Sequence, residues 1–140
     1  MEQTLVLIKP DGVLKKVAGR IISRFEDKGL KIEALKMVWI DEELAKSHYE
    51  EHIGKSFFQR LLSYITQAPL IAIVISGPEA IKVVRNLVGK TNPVKAEPGT
   101  IRGDLALDLE SGNIVHASDS QESAAKEIDL FFSAEEIYSY

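Results

Sequence analysis

Apolar residues fall along this chain in short runs whose period alternates between that of a strand and that of a helix. Thr4 to Ile8 is a β-branched and leucine run closed by Lys9-Pro10-Asp11-Gly12, which predicts a buried strand followed by a turn. Val17, Ile21, Ile22 and Phe25 recur at helical spacing and Gly29 stands where helices end, so a first helix is expected over 17–28. Leu30 to Ile40 reads as a long strand whose alternation changes phase near Ala34 and Leu35. Lys31 and Glu33 share a parity with Leu35, Met37 and Trp39. A bulge, or an outer face covered by a partner subunit, would account for that mixture.

Asp41 is placed to cap a helix carrying Leu44, Ala45 and His48. Ser56-Phe57-Phe58-Gln59 has the capping-box pattern ahead of a core stripe of Phe58, Leu61, Leu62 and Ile65. Leu70 to Ile75 is a continuous apolar strand, and Gly77-Pro78 starts a helix that runs to Val88 and ends at Gly89. Lys90 to Gly112 has no regular period. A loop that long is commonly functional or disordered, and Arg102 and Asp104 beside glycine favour function. Ile114 to His116 then reads as a short strand, Ser120 to Ile128 as a helix, and Ser133-Ala134-Glu135-Glu136 as a last capping box.

Stripped of insertions, the order is βαββαβ, the ferredoxin-like motif. The expected fold is an α+β sandwich with helices on one face of a four-stranded antiparallel sheet. The other face would then be a candidate oligomer surface. Its 140 residues fit a single domain over 1–140.

Composition narrows the function classes. The chain is 45% hydrophobic, enough for a core, and its net charge of −4 argues against binding polyanions overall. Cysteine is absent, which excludes disulfides and thiol catalysis and permits a reducing compartment. The start, MEQTLVLIKPDG, lacks the charged and long apolar regions of a signal peptide. No segment approaches the ~20 apolar residues of a membrane span. A cytoplasmic protein without a membrane or specific nucleic-acid partner is expected.

Chemistry concentrates in Asn113-Ile114-Val115-His116-Ala117-Ser118-Asp119-Ser120. A histidine there ends a β-branched run just before a helix opens. Helix starts attract anions, and histidine can act as a nucleophile at neutral pH. Two other patterns carry less. Gly54-Lys55-Ser56 and Gly89-Lys90-Thr91 look like the end of a P-loop, but the glycine that motif needs five residues earlier is Tyr49 or Val84. His48-Tyr49-Glu50-Glu51-His52 fits an inverted zinc-protease pattern, yet lacks a third ligand, and a solvated helix face explains it equally.

The Asn113–Ser120 stretch is accompanied by Lys9-Pro10-Asp11-Gly12-Val13, Phe57-Phe58, Arg85, Thr91-Asn92-Pro93 and Pro98-Gly99-Thr100-Ile101-Arg102-Gly103-Asp104. Together these resemble the nucleoside diphosphate kinase family over essentially the whole chain. The resemblance implies transfer of the γ-phosphate of one nucleoside triphosphate, mainly ATP, to a different diphosphate. It implies a ping-pong route through a phosphohistidine. By position, His116 would be the nucleophile, Glu127 would accept a hydrogen bond from its ring, and Ser118 would bond that glutamate. This orienting arrangement is the logic of a triad.

Lys9, Arg85 and Arg102 would neutralise phosphate charge, which phosphoryl transfer demands. Arg102 is expected in a loop, so that its loss should impair transfer far more than folding. Thr91 would donate a hydroxyl to phosphate, and Asn113 would bond the ribose or a bridging oxygen. Phe57 would stack on the base with Leu61 nearby, and Tyr49 would give support near the phosphates. Stacking reads any base's π-face, so broad base use follows. Mg²⁺ would ride on the nucleotide's phosphates, with Asp119 able to assist through water. The family also implies a homo-oligomer, hexamer or tetramer, built from a common dimer.

Ala117 stands where many members have glycine, which is tolerable if its φ is negative. The shifted span before Asn113 puts loop contacts near Leu109 in doubt. A non-catalytic module that kept the pocket, and a nucleic-acid-binding protein on the same fold, are the alternatives.

Overall fold

A computed structural model describes residues 1–140. Strands β1 (Glu2–Ile8), β2 (Lys31–Val38), β3 (Leu70–Gly77) and β4 (Val115–Ala117) form one antiparallel sheet in the order β2-β3-β1-β4. This is the ferredoxin-like frame expected from the element order. The helices are α1 (Pro10–Leu14), α2 (Ala18–Lys28), α3 (Glu42–His48), α4 (Phe58–Thr66), α5 (Ala80–Val88), α6 (Ile101–Leu105) and α7 (Gln121–Phe131).

The sheet is covered on both faces, which corrects the expectation of helices on one. Val6, Ile8, Ile71, Ile73 and Ile75 pack against Ile21 and Phe25 of α2 and Val84 and Val88 of α5. On the opposite parity, Leu5, Leu7, Ala72 and Val74 pack against Ala45 of α3, Phe58, Leu62 and Ile65 of α4, and Ile128 and Phe131 of α7. The physical reason lies in β3, which is apolar at nearly every position and buried throughout. A strand with no polar parity has no face to give to water. The inserted α3 and α4 and the C-terminal α7 supply the second layer, so the face expected to meet a partner lies inside this chain.

The phase change in β2 is a bulge, with the register shifting between Ile32 and Ala34. Glu33 is buried there and accepts hydrogen bonds from Gln3 Nε2 (2.7 Å) and Ser76 Oγ (2.8 Å). Beyond the bulge Leu35, Met37 and Trp39 are 50%, 59% and 66% exposed along the sheet's edge.

Helix ends follow local chemistry in most cases. Asp41 accepts from the Leu44 amide, Ser120 from the Ser123 amide, and Gly29 closes α2 at φ 97°. Ser56 does not cap α4. The helix starts one residue later, with Phe57 at the cap and no side-chain bond, because a turn from Lys55 O to Phe58 N carries the chain in. Lys9-Pro10-Asp11-Gly12 is the opening of α1, with proline in the first turn, rather than a bare turn. The long aperiodic stretch holds α6 and a 3-10 turn over Pro93–Lys95, capped by Thr100 and Asn92 respectively. No helix is long and apolar enough to cross a membrane.

Candidate active site

His116 sits mid-β4, paired with Leu7 of β1, and its ring points to the α7 side of the sheet. Its Nε2 lies 2.9 Å from Glu127 Oε1, and Ser118 Oγ donates to the same carboxylate oxygen at 2.7 Å. Ser118 is fully buried and its hydroxyl accepts the Leu5 amide at 3.2 Å, which ties the group to the central strand. Burial alone would raise the Glu127 pKa, but the hydrogen bonds from His116 and Ser118 and the positive charge of His116 hold it below the usual carboxylate range. An ionised carboxylate only accepts, so in the neutral ring the proton sits on Nε2 and the lone pair is left on Nδ1, which has no protein partner. Glu127 thus joins the helix α7 to the His116 ring and the Ser118 hydroxyl. Ala117 is absent from the positive-φ residues, so its methyl is accommodated.

Three cations converge beside this histidine. Lys9, at the end of β1, donates from Nζ to Asn113 Oδ1 at 2.9 Å. Arg85, in the last turn of α5, donates to Ala117 O at 3.0 Å. Arg102 donates through Nε to Asn113 O (3.3 Å), through one terminal nitrogen to Gly89 O (3.0 Å) and through the other to Val115 O (2.6 Å). None of the three is paired with a carboxylate. Burial, and then Arg102, push Lys9 down to about 8; burial, and then Arg85, push Arg102 down to about 10. A cluster of partly desolvated, mutually repelling cations is stabilised by an anion. The expectation that Arg102 is a loop residue is corrected: it lies on α6 and is only 6% exposed.

A strained turn delivers Asn113. Ile114, a β-branched residue, has φ 58°, and Gly112 has φ 106°. Asp11 holds this turn. Its Oδ2 accepts the Ile114 amide at 3.0 Å, and its other oxygen accepts the Tyr64 hydroxyl. A Cβ on Gly112 would meet Asp11 Oδ2 at 2.1 Å, so only glycine fits there. Strain of this kind persists where surrounding bonds over-determine it, and it clusters at functional sites. The Asn113 amide is engaged at both ends, donating from Nδ2 to Thr91 O at 3.1 Å.

From Lys9 and Asn113 a cleft of about 580 Å³ opens between Phe57, Leu61 and Tyr64 on one side and Leu109 on the other. That volume suits one small ligand. Phe57 is 42% exposed at the mouth. Leu109, doubtful from sequence, is part of the wall. Thr91 and Asp119 are exposed. Tyr49 is set back from the cleft, between the rings of His48 (4.6 Å) and His52 (6.1 Å), and burial followed by Asp11 raises its hydroxyl to about 12.

Asp11, Tyr64, His48 and His52 belong to this region although none was singled out for it. The two histidines carried a signal, the zinc-like spacing, but its reading as a solvated face fails. α3 ends at His48, so His52 lies on a separate 3-10 turn, and each has an Nδ1 buried without a partner. Gly54-Lys55-Ser56 lies in a turn, and Gly89-Lys90-Thr91 follows the C-terminus of α5, the negative end of a helix.

Comparison with known proteins agrees with the geometry. The family model described as nucleoside diphosphate kinase matches residues 2–137. A nucleoside diphosphate kinase of Pyrococcus furiosus is 57% identical over 100% of this chain and 88% of its own length. The halophilic nucleoside diphosphate kinase of Halobacterium salinarum, solved in complex with CDP, superposes with a TM-score of 0.95 at 45% identity, covering 99% of this chain and 92% of that one. A transition-state mimic of the Borrelia burgdorferi nucleoside-diphosphate kinase, with vanadate and ADP bound, superposes with a TM-score of 0.92 at 38% identity, covering 99% and 91%. The chain belongs to the nucleoside diphosphate kinase family, enzymes that transfer phosphate between nucleotides.

Proposed function

We propose that this chain moves the γ-phosphoryl group of a nucleoside triphosphate, mainly ATP, to His116 and from there to a second nucleoside diphosphate. In the first half, the His116 Nδ1 lone pair attacks phosphorus and the bond to the β-γ bridging oxygen breaks, releasing a diphosphate. In the second, a terminal oxygen of another diphosphate attacks and the N–P bond breaks, restoring the free histidine. The observation that carries this reading is one imidazole with Nε2 fixed by Glu127 and Nδ1 free, beside three cations that have no carboxylate partner. Ser118 steadies Glu127.

Lys9, Arg85 and Arg102 are assigned to phosphate charge. Thr91, an exposed residue, is assigned to a phosphate hydrogen bond, and Asn113 to the ribose or a bridging oxygen. Phe57 and Leu61 are assigned to the base, with Tyr49 as support behind the phosphates. The CDP and ADP bound by the related proteins support a cleft that accepts pyrimidine and purine alike.

The chain has no cluster of three metal-ligating side chains. Mg²⁺ would be carried by the nucleotide's phosphate oxygens, and exposed Asp119 would be free to assist it through water. When bound there it supplies charge neutralisation on the phosphates. A homo-oligomer is part of the proposal, a hexamer first and a tetramer as the alternative, supported by the exposed Leu35, Met37 and Trp39. So are a cytoplasmic location, supported by the lack of cysteine, and one domain over 1–140, supported by the match to residues 2–137.

The test is covalent. Protein mixed with γ-labelled ATP and Mg²⁺ should retain acid-labile, base-stable label that mass spectrometry maps to His116. Label on another residue, or none, would overturn the proposal.

A second expectation follows from Lys9. Its pKa near 8 means that it is charged below that pH and neutral above it. As pH rises through about 8, kcat/KM, which reports the free enzyme, should fall through loss of phosphate affinity. Lys9→Arg should move that alkaline limb upward, and a limb unmoved by the substitution would assign it elsewhere.

A further inference from the structure

The His48 ring is the least explained group near the nucleophile. His48 is the last residue of α3, and its imidazole lies against His116 of β4 and Phe131 of α7. Its centroid lies 5.1 Å from that of His116 with planes at 85°, 5.6 Å from Phe131 at 77°, and 4.6 Å from Tyr49 at 55°. Both close crossings near a right angle are edge-to-face, the arrangement aromatic rings favour. His116 itself has one side-chain hydrogen bond, to Glu127. A single bond at Nε2 sets a distance but leaves the tilt of the ring to its packing neighbours.

The surroundings also keep His48 uncharged. Its Nδ1 is buried without a partner, and burial, followed by the charge of His116, pushes its pKa down to about 4. A charged ring at this position would compete with His116 for the Glu127 carboxylate. On its far side His48 lines a small cavity of about 160 Å³ shared with Glu127, Glu50 and Lys126. His48 and Glu127 are thus neighbouring walls of one cavity beside the Glu127–His116 hydrogen bond.

We propose that His48 is a positioning residue: its ring, packed edge-to-face on His116, sets the tilt of that imidazole so that Nδ1 faces the phosphoryl group in a single tautomer. This rests on His116 being the nucleophile. Misplacement of a reacting atom by about 1 Å can cost on the order of 10²-fold in rate.

The test uses the full-length protein with His48→Ala, His48→Gln and His48→Phe. It measures nucleotide affinity, the single-turnover rate of phosphoenzyme formation with ATP and Mg²⁺, and the ¹⁵N shifts of the His116 ring. Alanine and glutamine should bind nucleotide within about twofold of wild type but phosphorylate roughly 10–100-fold more slowly. Their His116 shifts should move from one tautomer toward a mixture. Phenylalanine keeps a flat uncharged ring and should recover the rate to within about threefold, an effect of ring packing. Wild-type rates and shifts in the alanine or glutamine variant would overturn the proposal. So would a folded phenylalanine variant as slow as those two. An unlabelled wild-type chain would instead overturn the phosphohistidine reading itself, and this one with it.

Discussion

His116→Ala is expected to lower turnover by more than about 10⁴-fold, on the scale seen when a covalent nucleophile is removed, and to abolish the phosphoenzyme. No other group can take over. His48 is half-buried and held neutral, and its unpaired Nδ1 is closed off from the cleft. Direct transfer between two nucleotides would need both in one cleft of about 580 Å³, which has room for one. Nucleotide binding should survive, because Lys9, Arg102, Phe57 and Leu61 are anchored independently of the imidazole. A coupled assay with calorimetry on the same variant checks both halves. Turnover within about 100-fold of wild type would show that the covalent route is not the main one.

Arg102→Ala should cause two separate losses. Removing a preorganised cation from a phosphoryl-transfer site costs about 10²–10³-fold in kcat/KM. The side chain is also buried and donates to the carbonyls of Gly89, Asn113 and Val115, so it pins the end of α5 and the strained turn to the start of β4. Its truncation removes a buried donor from all three carbonyls at once, for a destabilisation of roughly 2–4 kcal/mol. Thermal unfolding should therefore shift down by roughly 5–15 °C. Lysine in its place restores charge but not the fork, so Arg102→Lys should recover part of the activity and little of the stability. An alanine variant that melts with wild type would mean that the three carbonyl bonds contribute nothing. One with near-normal kcat/KM would contradict the phosphate role.

The reading of Arg102 marks how far sequence went. Its place among Pro98, Gly99 and Gly103 suggests an open loop. A Thr100 cap and a glycine pressed against Glu97 O instead wind those residues into α6 and bury the guanidinium. Glycine and proline report where a chain turns, and not what then packs over the turn. The second helical layer was more nearly legible. The unbroken apolar run of β3 already requires cover on both faces, and only the assumption of a bare ferredoxin-like sandwich concealed it.

The proposed catalytic group divides in the same way. His116, Ser118 and Glu127 are close in sequence, on one strand and the helix after it, and their contact follows from local geometry. Lys9 and Asn113, or His48 and His116, are far apart along the chain, and no period or cap speaks of their meeting. Local sequence was enough for the order of the four strands and of α2, α3, α4, α5 and α7, the phase change in β2, most helix ends and the motif around His116. Each of these arises from steric and hydrogen-bonding preferences within a few residues. Tertiary packing set which helices cover the second face, the burial of Arg102, the clamp of Asp11 on the Ile114 turn and the contact of His48 with His116. Those outcomes depend on how separate surfaces fit together, which is a property of close packing and not of neighbouring residues along the chain.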